Sequence, residues 1–167
     1  MVTIINSNLL SILGKIIDLI TLIITIMMIV YTLFVMSDMP DIVPTHINVG
    51  GDIDGYGRKG SILVLPILGL ISYVGLTILQ RKPQILNYPI KVTDDNALVL
   101  YSIGAAMMRF VKTMIVFLFA FVTYVFVNLS RGIQIKYTSI VILGGCLLLT
   151  IGVIVYIIRM RGLQKND

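Results

Sequence analysis

The chain has 167 residues, 57% of them hydrophobic and only 13% charged, and a water-soluble domain of this length could not hide that much apolar surface. Its formal net charge of +5 does not point to nucleic acid, because Lys and Arg stand at the ends of apolar runs and form no basic stretch or nucleic-acid motif. Cys146 is the only cysteine, which excludes an intrachain disulfide framework and a paired-cysteine metal site.

Four apolar stretches follow one another, at about Ile16 to Val35, Ser61 to Leu79, Thr113 to Leu129 and Tyr137 to Ile158. Each is long enough to cross about 30 Å of hydrocarbon as a helix. Runs of this length without period-two alternation exclude a β-barrel, since backbone groups in lipid must pair within their own segment. The fold class is therefore an all-α membrane protein, one polytopic domain over 1–167, with four transmembrane helices and an ordered extracytoplasmic first loop. The first run is longer than a signal-peptide core and no alanine occurs before Ala97, so it is expected to stay uncleaved.

In the second run, Gly69, Ser72 and Gly75 share one helix face and favour close helix contact, and Pro66 is expected to kink the helix. Before the third run, Thr93-Asp94-Asp95-Asn96 forms a cap cluster and no proline follows before Lys112. One helix from about Asn96 to Val127 is predicted, projecting well beyond the membrane. Arg109 and Lys112 fall on one face of it, as snorkelling residues or as ligands of anionic lipid headgroups. In the fourth run, Gly145 and Gly152 line one face, and Cys146 reads as a small buried apolar residue.

Charge sets the orientation. Lys15, Arg81, Lys82, Lys91, Arg109, Lys112, Arg159, Arg161 and Lys165 lie on one side of the spans and Arg58, Lys59, Arg131 and Lys136 on the other. The richer side is expected in the cytoplasm together with both termini, leaving the first loop outside. Tyr31, Phe34, Tyr124, Phe126 and Tyr137 then gather at the outer interface.

The first loop, 36–60, holds four of the eight acids and the only histidine. Pro40 and Pro44 favour extended chain, polar and apolar residues alternate from Pro44 to Val49, and Gly50-Gly51 and Asp54-Gly55 supply turns. An extended Thr45 to Val49 puts His46 and Asn48 on one face and Ile47 and Val49 on the other.

The run PDIVPTHINVGGDIDGYGRKG resembles the signature of the SdpI-like membrane family, Pro-x-x-x-Pro-x-His-x-Asn-x-x-Gly-x-x-Asp-Gly. Pro40, Pro44, His46, Asn48, Gly51, Asp54 and Gly55 match it, with Lys59 at the loop end. Asn87-Tyr88-Pro89, Asp94-Asp95-Asn96 and Met108-Arg109 are also similar to family members. The resemblance covers roughly Thr25 to Tyr124. It implies a bacterial inner-membrane protein, and its named members are immunity proteins that guard a Gram-positive cell against its own toxic peptide and relay that peptide's presence to a regulator. Fuller members carry a further membrane module, whereas here one span follows the third helix.

Three readings stand side by side for the loop: a structural polar cluster, a surface that recognises a cationic peptide or envelope protein through His46, Asn48, Asp52, Asp54 and Tyr56, and a metal site. An EF-hand alignment on Gly55 puts Gly50 and Ser61 at required ligand positions, a poor match. The alternative class is a membrane enzyme or metal-binding accessory protein using His46, Asp52 and Asp54. No H-E-x-x-H, G-x-S-x-G or P-loop occurs, so no catalytic residue and no cofactor is expected. The lipid bilayer is the one partner that composition demands. The oligomeric state has no sequence signal.

Overall fold

A computed structural model describes residues 2–166, with side chains over 11–164; the side chain of Lys165, counted above in the charge asymmetry, lies outside the described residues. Four helices dominate, α1 (Val2–Met36), α2 (Val64–Arg81), α3 (Ala97–Ser130) and α4 (Thr138–Gly162). Four helical segments are long and apolar enough to cross a membrane: Ser11–Met36, Lys59–Arg81 (where a 3-10 helix, Lys59–Leu63, runs into α2), Ala97–Ser130 and Thr138–Gly162. Between α1 and α2 lies a two-stranded antiparallel hairpin, β1 (Ile42–Ile47) and β2 (Ile53–Arg58). The two chain ends and the segment between α2 and α3 share one end of the bundle, called here the terminal end. The hairpin marks the other.

α3 is the central helix, packed against α1, α2 and α4. Gly145 and Gly152 of α4 face it, meeting Leu118 and Phe110, as their spacing predicts. Gly69 of α2 meets the Met28 methyl group, whereas Gly75 opens on free space, so the three-residue series is not one continuous contact face. The outward faces are apolar, with Met27, Phe34, Ile71, Leu147, Leu148 and Ile158 exposed, the pattern of helices that use lipid as solvent. Cys146 is exposed on that surface of α4 and is not the buried residue its apolar setting suggests; an apolar run facing lipid and one facing a core read alike.

α1 starts at Val2, about four turns before the predicted span, because no proline interrupts the chain before Ile16. Pro66 is the third residue of α2, where its missing N–H falls among first-turn donors that have no intrahelical partner anyway, so no carbonyl deeper in the span is orphaned. The start of α3 agrees with the predicted cap region, but the chemistry differs. Asn96 accepts from the Thr93 N–H through Oδ1 and donates from Nδ2 to the Lys91 carbonyl, tying down the incoming loop instead of capping the first turn.

α3 has 34 residues, about 51 Å at 1.5 Å per residue, against about 30 Å of hydrocarbon. Its overhang is covered: Leu100 and Ile103 are buried against Ile90 of the α2–α3 segment and Met160 of α4, with Tyr88 and Tyr156 alongside. At the opposite end Val35, Met39, Val43, Ile62 and Val127 form a second small core. Val43 is fully buried in it, and this seats the hairpin on the ends of α1 and α3.

Candidate functional site

The hairpin is ordered by a single turn. Asn48 N–H donates to the Asp52 carbonyl, Gly51 N–H to the Asn48 carbonyl, and Asp52 N–H to Asn48 Oδ1, at 2.9, 3.0 and 2.9 Å. Gly51 has φ +94°, a conformation that disfavours side chains. Gly50-Gly51 therefore turns the chain as expected. Asp54-Gly55 does not: both residues lie within β2.

Register irregularities on both sides of His46 pair it with Gly55 and leave Asp54 beside it. The His46 ring Nδ1 pairs with Asp54 Oδ1. A Cβ on Gly55 would come within 2.9 Å of His46 Cβ, so the bulge requires glycine opposite the imidazole. Asp54, Tyr56 and Arg58 alternate along β2 and are exposed, which gives the outer face an acid, an aromatic ring and a base in line. Asn48 sits in the turn, not on a strand face shared with His46, because β1 ends at Ile47. Asp52 also belongs to the turn. Of the five residues proposed from sequence, His46, Asp54 and Tyr56 thus share a surface, while Asn48 and Asp52 build its bend. Among the described residues no three His, Cys, Asp or Glu side chains gather into a metal-holding group.

Two clefts border the hairpin. One of about 430 Å³ lies between the turn, including Val49 and Asp52, and the segment from Gln134 in the α3–α4 connection to Ile140 in the first turn of α4. The other, about 380 Å³, runs under β1 between α2 and α3, with Thr45, His46, Ile62, Leu65, Thr123 and Phe126 among its walls. Thr123 is 1% exposed, and its hydroxyl is the buried side-chain polar atom without a hydrogen-bond partner among the described residues. Thr21, Thr25, Thr32 and Thr113 all donate to the carbonyl four residues earlier, the usual solution for a helical threonine in an apolar setting. Thr123 stands apart from them.

A second polar site lies at the terminal end. Lys112, 0% exposed, donates to Asp18 Oδ1 at 2.8 Å, to Gln80 Oε1 at 2.8 Å and to Thr77 Oγ1 at 3.2 Å. Gln80 Nε2 donates to Asp18 Oδ2 at 2.9 Å, and Arg109 Nε reaches the same oxygen at 3.2 Å. The Tyr73 ring lies 5.1 Å from the Lys112 nitrogen. A buried ammonium is tolerable only with its donors satisfied and a counter-charge in contact, and three helices combine to meet that demand. Lys112 therefore does not snorkel. Sequence reasoning missed Asp18, Thr77 and Gln80; the available signal was that Asp18 is the one charged residue within the first apolar run.

Residues 23–70, from the later part of α1 through the hairpin into α2, match the model of a domain of unknown function, DUF1648. An uncharacterised protein of the archaeon Archaeoglobus fulgidus is 34% identical over 67 residues, covering 35% of this chain and 37% of the relative. The chain thus spans little more than a third of that relative's length. No solved structure matches. The matched region contains the whole hairpin and its His46–Asp54 pair; Asp18, Arg109 and Lys112 fall outside it.

Proposed function

We propose that this chain is a non-enzymatic membrane protein, similar to the SdpI-like immunity proteins, that recognises a cationic amphipathic peptide on the outer side of a bacterial cell membrane through its hairpin. In this reading both termini are cytoplasmic. The observation that carries it is the cleft beneath β1, whose apolar walls enclose the unpartnered Thr123 hydroxyl and whose rim bears His46, bonded to Asp54. An apolar side chain of the peptide would enter the cleft and part its walls, and a polar group of the peptide beside that side chain would pair with the Thr123 hydroxyl so uncovered. The cationic remainder would lie over the outer face, where loop 36–60 sets Asp38, Asp41, Asp52 and Asp54 against Arg58 and Lys59. Opposite potentials of this kind speed encounter and select partners.

The test is binding of a synthetic cationic amphipathic peptide to the purified protein over a range of ionic strength. Recognition at the hairpin predicts that wild-type affinity falls as salt rises and that Asp54→Asn flattens this dependence. Loss of binding in His46→Ala at every salt concentration, reproduced by a chelator, would instead support the metal-binding alternative. Equal peptide binding by wild type, Asp54→Asn and His46→Ala would overturn the proposal.

A further inference from the structure

The terminal-end cluster is not neutral. Asp18, Gln80 and Lys112 close a circuit in which the carboxylate balances the ammonium and Gln80 both donates and accepts. Arg109 joins it only through Nε, so two cations stand against one acid. The remaining face of the guanidinium lies over α1, where a Cβ on Gly14 would come within 2.7 Å of Nη1. Among the described residues no second acid is at hand: residues 1–17 contain none in sequence, and Asp94 and Asp95 precede the start of α3, three turns before Arg109.

The plane of this surplus charge matters. Counting back about 20 residues, the thickness of the hydrocarbon, from Met36 on α1 and from Ser130 on α3 reaches Ile17 and Arg109 to Phe110 on the two helices. Arg109 therefore stands where hydrocarbon gives way to headgroups. It also lines a groove of about 340 Å³, with Leu13 and Ile17 of α1 on one side, Tyr156 of α4 on the other, and Ala106, Phe110 and Met114 of α3 between them. From Arg109 the trough runs along α3 over Phe110 and Met114 into the hydrocarbon, and a cation at the head of such a trough suits one lipid, an acyl chain with a phosphate at its head.

We propose that this groove holds a phospholipid with an anionic headgroup, its phosphate bonded by the free edge of Arg109 and its acyl chain laid over Phe110 and Met114. This inference does not depend on the reading of the hairpin. The Asp18–Lys112 circuit positions the guanidinium by holding Nε, and the lipid supplies the second anion.

Native mass spectrometry of the detergent-purified protein, offered equimolar phosphatidylglycerol and phosphatidylcholine of matched chains, tests it directly. The wild type should retain phosphatidylglycerol over phosphatidylcholine by about tenfold, because both offer Arg109 a phosphate but the quaternary ammonium of choline offsets that phosphate's charge and repels the guanidinium. Arg109→Gln should abolish the preference, whereas Arg81→Gln, which removes a cation at the same end but outside the groove, should keep it. Met114→Trp fills the trough on the hydrocarbon side of Arg109 without touching charge and should reduce retention of both lipids, so a folding defect in Arg109→Gln would leave an independent measure. Equal retention of the two lipids by the wild type, an unchanged preference in Arg109→Gln, or displacement of phosphatidylglycerol by millimolar inorganic phosphate would overturn the proposal, the last by assigning the site to free phosphate.

Discussion

The Lys112 ammonium donates to Asp18 Oδ1 at 2.8 Å across 94 positions of sequence, joining the central helix to the first at the edge of the apolar region. Each group is costly there without the other. Lys112→Met should lower the unfolding free energy in detergent by about 3 kcal/mol or more, the usual cost of stranding one member of a buried pair. Asp18→Asn combined with Lys112→Met should recover part of that loss, because the double substitution strands neither member of the buried pair and leaves only the part-exposed Arg109 without its carboxylate. A double variant whose thermal unfolding shows strictly additive losses would mean that the two residues act separately.

Thr123→Val should behave in the opposite sense. Valine keeps the shape and removes a hydroxyl that has no partner, so the peptide-free protein should be unchanged or stabilised by about 1 kcal/mol. Affinity for the cationic peptide should fall. A marked loss of thermal stability without peptide would show that the hydroxyl is satisfied in the protein itself.

Gly55→Val places two methyl groups against the His46 Cβ in a site with no room for one. Overpacking of this kind costs about 1–3 kcal/mol. The expected readout is selective: the imidazole signals of His46 in NMR spectra should shift as its pairing with Asp54 is lost, while helical circular dichroism is retained.

Tyr88, in the segment before α3, donates to the Pro83 carbonyl at 2.8 Å, and burial, with a smaller contribution from Tyr101, pushes its phenol above the ordinary value of 10.0. A raised folded-state value means that the folded chain holds the proton more tightly. The stabilisation is complete below the unfolded value and is lost as pH rises through the folded one. Wild-type stability should therefore fall above about pH 10, and Tyr88→Phe should show a shallower alkaline decline, measured by thermal unfolding across pH 8–11.

Orientation is open to cysteine labelling. In a Cys146→Ser background, an impermeant thiol reagent on intact cells should modify Thr45→Cys and spare Gln164→Cys. The reverse pattern would refute the charge-asymmetry argument.

How far the sequence led can be judged at particular residues. The four helices and the start of α3 were legible, because apolar run length and a proline-free stretch after Thr93 depend on local chain chemistry. The Gly50-Gly51 turn was legible for the same reason. Asp54-Gly55 has the composition of a turn, yet pairing with β1 holds it in a strand, and that pairing depends on Val43 finding its place among Val35, Ile62 and Val127. The circuit of Asp18, Gln80 and Lys112 was less visible still. One acid near the end of an apolar run looks like a boundary residue until the helix that brings its counter-charge is packed beside it, and no local pattern contains that packing. Cys146 was misread because composition alone does not separate a lipid-facing position from a core one.

The separation of Asp18 from Lys112 also imposes an order on biogenesis. α1 emerges first, carrying a carboxylate near its membrane boundary, and the ammonium that neutralises it is translated 94 residues later. At about 5–20 residues per second, that is an interval of roughly 5–20 s. During this wait Asp18 must keep to the headgroup layer and remain hydrated, so α1 cannot settle at its final depth and rotation until α3 arrives. Final docking of the first helix is thereby tied to completion of the third, and in a chain truncated before Arg109 the Asp18 carboxylate would lack both cations that balance it.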